Sequence, residues 1–171
     1  MNTIEPAWLL AARKKVGTRE VPGAGNSATI MGWAKLLGAK VLGILYNADS
    51  VPWCGLFITM CLKEAGVDLG LMKVGVRASA WEVWGANLAP DRLSPGAIMV
   101  FQRTGGGHVA FYVGEDATCY HVLGGNQGDA VNVMRIEKSR CIARRWPIGW
   151  PVYGKPVRLT DGGVPVSRNE A

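Results

Sequence analysis

Histidine is scarce in this chain, and paired cysteines are missing. Only two histidines, His108 and His121, occur among 171 residues, so a reaction that moves a proton through an imidazole has two places to use. The four cysteines, Cys54, Cys61, Cys119 and Cys141, form no C-x-x-C pair, which argues against a zinc knuckle. Cys54 and Cys61 fall two turns apart on one predicted helix, too far for a mutual bridge, and free thiols are expected throughout. No apolar run approaches the ~20 residues of a membrane-spanning helix. The opening residues carry neither a basic start nor an apolar signal core. Together these absences predict a globular chain made in the cytoplasm without an export signal and without stable membrane insertion. No internal repeat or linker divides the chain, so one domain over residues 1–150 and an irregular Pro- and Gly-rich tail over 151–171 are expected.

What is present is a hydrophobic share of 49% against 19% charged residues, enough to build a core. The net charge of +6 gathers partly in Arg13, Lys14 and Lys15, in residues 135–145 and in residues 155–158. Such a balance suits a solvated surface or attraction to a polyanion such as an acidic cell wall. No recognition helix, zinc finger or aromatic–basic strand motif accompanies it, so nucleic acid is not an expected partner.

Apolar spacing predicts helices over residues 6–16, with Trp8, Leu9, Ala12 and Val16 inward, and from Ser27 to about Gly38, with Ile30, Trp33, Ala34 and Leu37 inward. A third helix is predicted over 52–66, opening at Pro52 with Ser50 or Asp49 available as a cap and closing at Gly66. Its first turns are apolar nearly all round. A short helical piece over 78–85 carries Trp81 and Trp84 on one face; core packing is the ordinary fate of such a pair, and the floor of a groove is the alternative. From Pro95 the period changes to that of strands, over 97–101, 108–113, 119–123, 130–136 and 141–145. Helices first and closely spaced strands second predict an α+β fold, with the cysteine helix packed on an antiparallel sheet.

Cys54 falls in the first turn of its helix, where free N–H groups and the positive end of the dipole favour a thiolate. His108 opens a strand directly after Gly105, Gly106 and Gly107, which leave little bulk over the ring. His121, within a strand, is expected to be structural. A Cys–His pair needs a third group to fix the ring, and Asn126, Gln127 and Asp129 are the candidates. Asn126 follows two glycines and suits either that role or a simple turn. A zinc site from His108, His121 and Cys119 is the rival, but Cys-x-His on one strand is a poor zinc signature.

Trp53-Cys54 at a helix start, the run from Gly107-His108-Val109 to Val113, and Leu123-Gly124-Gly125-Asn126-Gln127 occur in that order. In this the chain resembles the cysteine, histidine-dependent amidohydrolase/peptidase (CHAP) group, a branch of the papain-like, NlpC-type superfamily. The resemblance is closest to a subgroup common in bacteriophages and prophages. It extends to Glu20-Val21-Pro22-Gly23, to Ser79-Ala80-Trp81 and Trp84-Gly85, and to Arg145-Trp146-Pro147, and so covers roughly residues 5–147. It implies a papain-like fold with Cys54 as nucleophile, His108 as base and Asn126 orienting His108. It further implies endolysin-like cleavage of an amide in peptidoglycan, at the muramoyl–alanine bond or within the peptide stem, by a monomer needing no metal or cofactor. The wall would be reached in the host periplasm after release from the cell. A wall-binding module without activity, a delivered antibacterial toxin and a lipid acyltransferase are the competing readings. Three positions depart from the family pattern, one of them near Asn126, where many relatives carry a glutamate that this chain lacks. Ala97 stands where an acid is frequent, and Gly55 follows the nucleophile where Ala or Ser is usual. Gly55 is read as loosening the helix for the approach of substrate.

Overall fold

The computed structural model describes residues 4–170; Met1, Asn2 and Thr3, which open the stretch expected to carry no export signal, and Ala171 lie outside the described residues. Helices α1 (Ala7–Arg13), α2 (Ala28–Leu37), α3 (Ala39–Leu42) and α4 (Cys54–Glu64) come first. They are followed by a 3₁₀ turn over Ala78–Glu82 and by strands β1 (Ala86–Asn87), β2 (Ile98–Arg103), β3 (Gly106–Glu115), β4 (Cys119–Gly124), β5 (Asn132–Glu137) and β6 (Cys141–Trp146). The order across the single sheet is β1-β6-β2-β3-β4-β5, and every strand pair is antiparallel. The protein is therefore α+β. The strands β2 to β5 follow one another as a meander because their connections are short. β6 returns to the far side of β2, and two-residue β1 closes that edge.

The expected elements form, with shifted ends. Ser27 caps α2 through a bond from the Ile30 N–H to its Oγ, 3.4 Å, satisfying one of the free donors of the first turn. The first helix stops three residues early, at Arg13, and the chain continues in turns to Gly17. The piece carrying Trp81 and Trp84 is a 3₁₀ turn, and β1 was too short to leave a periodic signal. Trp81 is fully buried and donates its indole N–H to Gly75 O at 3.1 Å, so packing is its role.

All residues of α4 from Cys54 to Leu62 are buried, which accounts for a helix apolar on every side. It lies on the sheet with Phe57 against Phe111, ring centroids 6.2 Å apart, while α1 packs along it. Its start differs from expectation. The N-cap is Trp53, and no side chain caps the helix. Asp49 instead accepts the Ser27 N–H at 2.6 Å and the Val21 N–H at 3.0 Å. Asp49 thus serves the Glu20–Ser27 loop rather than the helix start. Gly55 also has a different task. A Cβ there would lie 2.3 Å from Gly75 O and 2.4 Å from Val76 O, so glycine admits the 75–76 backbone rather than a substrate.

The C-terminal segment is irregular, yet it is built into the domain. Residues 157–159 bond to the end of β3, and Val166 bridges to Arg135 on the outer strand β5, protecting an otherwise open edge. The segment ends with Glu170, 1% exposed, in a two-pronged ion pair with Arg140 at 2.8 and 2.9 Å. Arg140 also donates to Gln102 O and Ser167 O. Removing one member of so enclosed a pair strands the other. Glu170→Ala is therefore expected to lower stability by about 3 kcal/mol, measured by urea unfolding. A loss below about 0.5 kcal/mol would show the strap to be only laid on the surface.

Candidate active site

The first turn of an uncapped helix holds N–H groups with no intrahelical partner, and Cys54 is the first residue of α4. The backbone N–H groups of Val109, Gly55 and Cys54 itself favour its charged form, against the effect of burial. Helix α4 packs on β3, and Cys54 lines a cleft with Phe101, the cross-strand partner of His108, and with Gly107, its neighbour in the chain. Cys54 thus meets the strand at the step where the histidine stands.

His108 is 1% exposed and pairs across the sheet with Phe101 on β2. Its Nε2 lies 2.9 Å from Gln127 Oε1. The amide cannot be turned the other way, because Gln127 Nε2 already donates to Asn132 O at 2.8 Å and to Asn132 Oδ1 at 3.0 Å. Two acceptors on that side leave only the oxygen to face the ring. Nε2 therefore carries the proton, and Nδ1 keeps its lone pair.

The residue that meets the ring is thus Gln127, not Asn126. Asn126 adopts φ +57° and forms the left-handed turn, a conformation Asn tolerates better than most residues. The glycines ahead of it are needed for close approach. A Cβ on Gly124 would lie 2.6 Å from Gln127 Oε1, and one on Gly125 would lie 2.7 Å from Trp53 and from Phe57. The third candidate, Asp129, also has a left-handed φ, +60°, and belongs to the same turn. Candidate residues within one loop could be found by composition, but which of them faces the ring follows from how the turn twists.

Burial sets the protonation of the pair. It pushes the Cys54 thiol above its ordinary value, with Val109 N–H, Gly55 N–H, Arg103 and Cys54 N–H pulling in the other direction. Burial also pushes His108 down to about 4, against the attraction of Glu170 and the bond to Gln127; Arg103 and Arg140 push it further down. The resting pair is consequently thiol and neutral imidazole. The thiolate anticipated from the helix dipole is outweighed by desolvation. Arg103, which donates to Gly107 O at 3.1 Å, and Glu170 are charged neighbours of the site that residue spacing did not point to.

Cys54 opens onto a cleft of about 790 Å³. Its lining includes Arg77, Ser79 and Glu82 from the segment around the 3₁₀ turn and Gln102, Gly106 and Gly107 from β2 and β3. Trp84 lies elsewhere, in a second groove with Leu71, Val83 and Ile148. The second histidine is held apart from this site. His121 Nε2 is 2.8 Å from Asp116 Oδ2, and Arg135 Nε reaches the same oxygen at 2.7 Å. Arg135 foremost holds the Asp116 carboxyl well below the usual range. Among the described residues no group of three His, Cys, Asp or Glu side chains is arranged to hold a metal ion, and no helix is long and apolar enough to cross a membrane. No protein-family model and no curated protein matches the chain.

Proposed function

We propose that the protein is a papain-like cysteine amidohydrolase of the CHAP type that cuts an amide bond in peptidoglycan. The observation that carries this reading is the placing of three parts: Cys54 at the start of a helix, His108 on the strand that helix packs against with Nδ1 unprotonated, and Gln127 fixing that tautomer. This is the arrangement a thiol nucleophile needs. The neighbouring cleft has room for a peptide segment, and its charged side chains, Arg77 and Glu82, suit a substrate that carries both carboxylates and amines.

As the sulfur attacks the scissile carbonyl, His108 Nδ1 takes the thiol proton, and an S–C bond forms while the carbonyl oxygen gains charge. The backbone N–H of Cys54, at the helix start, is the natural donor to that oxygen. Collapse breaks the C–N bond, and His108 returns the proton to the departing amine. Water, deprotonated by the same ring, then releases the acyl group and restores the thiol. The positive balance of +6 favours residence on an anionic wall.

The test is digestion of purified sacculi of several wall types, followed by mass spectrometry of the soluble fragments. The expected result is release of fragments carrying one new amine per cut, which also identifies the bond. Intact walls of every type, with the protein bound to them, would replace hydrolysis by a binding role.

A further inference from the structure

The Glu20-Val21-Pro22-Gly23 loop supplies no group to the chemistry above, yet Glu20 touches both halves of the site. Its Oε1 accepts the indole N–H of Trp53 at 2.6 Å. Trp53 is fully buried, precedes the nucleophile, and accepts the first helical bond of α4 from the Phe57 N–H at 2.9 Å. The Glu20 backbone N–H meanwhile donates to Asp129 O at 2.9 Å. Around it, Gly17 N–H bonds to Val131 O at 3.0 Å, Val131 N–H to Thr18 O at 2.8 Å, and Arg19 bridges to Ala130. The Gln127 N–H is itself bonded to Ala130 O at 3.0 Å. One residue therefore holds the start of the cysteine helix by its side chain and the turn bearing Gln127 by its backbone.

We propose that Glu20 is a positioning residue, a strut that keeps Cys54 in register with the Gln127–His108 pair. The strut joins two points that local side-chain capping and backbone preference leave without support, since α4 starts without a side-chain cap and the 125–130 turn contains two non-glycine residues at positive φ. A bond from indole N–H to carboxylate is charge-assisted and directional, so it can set the angle of Trp53 in a way that apolar packing alone does not. The Trp33 ring at 6.4 Å and the backbone of Gly125 also border Trp53, but neither offers a directional bond to its N–H. The catalytic consequence rests on the amide-hydrolase reading, but the mechanical coupling does not.

Two readouts separate them. By hydrogen exchange, Glu20→Ala is expected to speed the Phe57, Gln127 and Val131 amides about tenfold or more while β2 amides keep their rates. Trp53→Phe, which keeps an aromatic ring but loses the indole donor together with part of the buried ring, is expected to speed the Gln127 and Val131 amides. It also serves if Glu20→Ala fails to fold. In turnover of the wall, Glu20→Ala is expected to lower kcat about tenfold or more with KM within about threefold, since small displacements in a reacting pair are costly. Glu20→Gln, which retains an acceptor, should restore kcat to within about threefold, and the double variant Glu20→Ala/Trp53→Phe should be no slower than either single one. Faster exchange confined to residues 18–27, or a Trp53→Phe protein with unchanged Gln127 and Val131 amides, overturns the strut. The expected exchange pattern in a protein that digests no wall supports the strut and removes the hydrolase.

Discussion

Cys54→Ala is expected to abolish wall digestion, by about four orders of magnitude or more, while the protein stays folded. On the amide-hydrolase reading the Cys54 sulfur forms the acyl bond, and alanine puts no nucleophile in its place. His108→Ala should fall nearly as far, because the thiol is pushed up by burial and has no other base to release its proton. Cys61→Ala is the control. Cys61 is fully buried on the same helix, so the change should cost about 1–2 kcal/mol of stability and leave turnover largely intact. The pH dependence follows from the neutral imidazole. With His108 at about 4 against about 6.5 in an unfolded chain, the unfolded state binds more protons between those values. Stability is thus fullest above about pH 6.5 and declines as pH falls towards 4, by about 3 kcal/mol in all. His108→Ala should flatten that decline in urea titrations. For activity, the acid limb of kcat/KM should lie near pH 4; a limb near 6.5 would mean that the ring is solvated and the pair differently poised.

Gln127→Ala is expected to lower kcat about a hundredfold, with KM little changed, because the ring loses the group that holds its tautomer and angle. Asn126→Ala should do much less to kcat. Its cost is about 1 kcal/mol of stability, from placing alanine at positive φ. Nitrogen chemical shifts of His108 provide the independent check. In the native protein Nε2 should be protonated and Nδ1 bare, and Gln127→Ala should mix the tautomers. If Asn126→Ala instead abolished turnover and Gln127→Ala were tolerated, the orienting role would return to Asn126 and the loop would have to twist by one residue during the reaction.

Several features of this chain can be read from residue order. The switch from helical to strand spacing at Pro95 marks the change of layer. Strand positions such as 119–123, against the observed Cys119–Gly124, differ by a single residue. Period and turn residues act locally, and in these segments the local preference agrees with the fold. The scarcity of histidine likewise directed attention to His108, and His121 proved to be committed to Asp116.

Other features arise only where distant segments meet. Asp49 looked like a helix cap because it precedes α4, but two N–H groups of the 20–27 loop come to it first. Gly55 looked like an opening for substrate until Gly75 and Val76 arrived against it. The tail carried no periodic signal, and Glu170 acquires its place from Arg140, thirty residues earlier. Residue types and spacing sufficed to find an α+β chain with a cysteine at a helix start and one available base. The choice of Gln127 over Asn126, the uncharged thiol–imidazole pair and the hold of Glu20 on Trp53 required the folded chain. Burial and hydrogen-bond direction depend on what lies across the fold, and neither has a period along the chain.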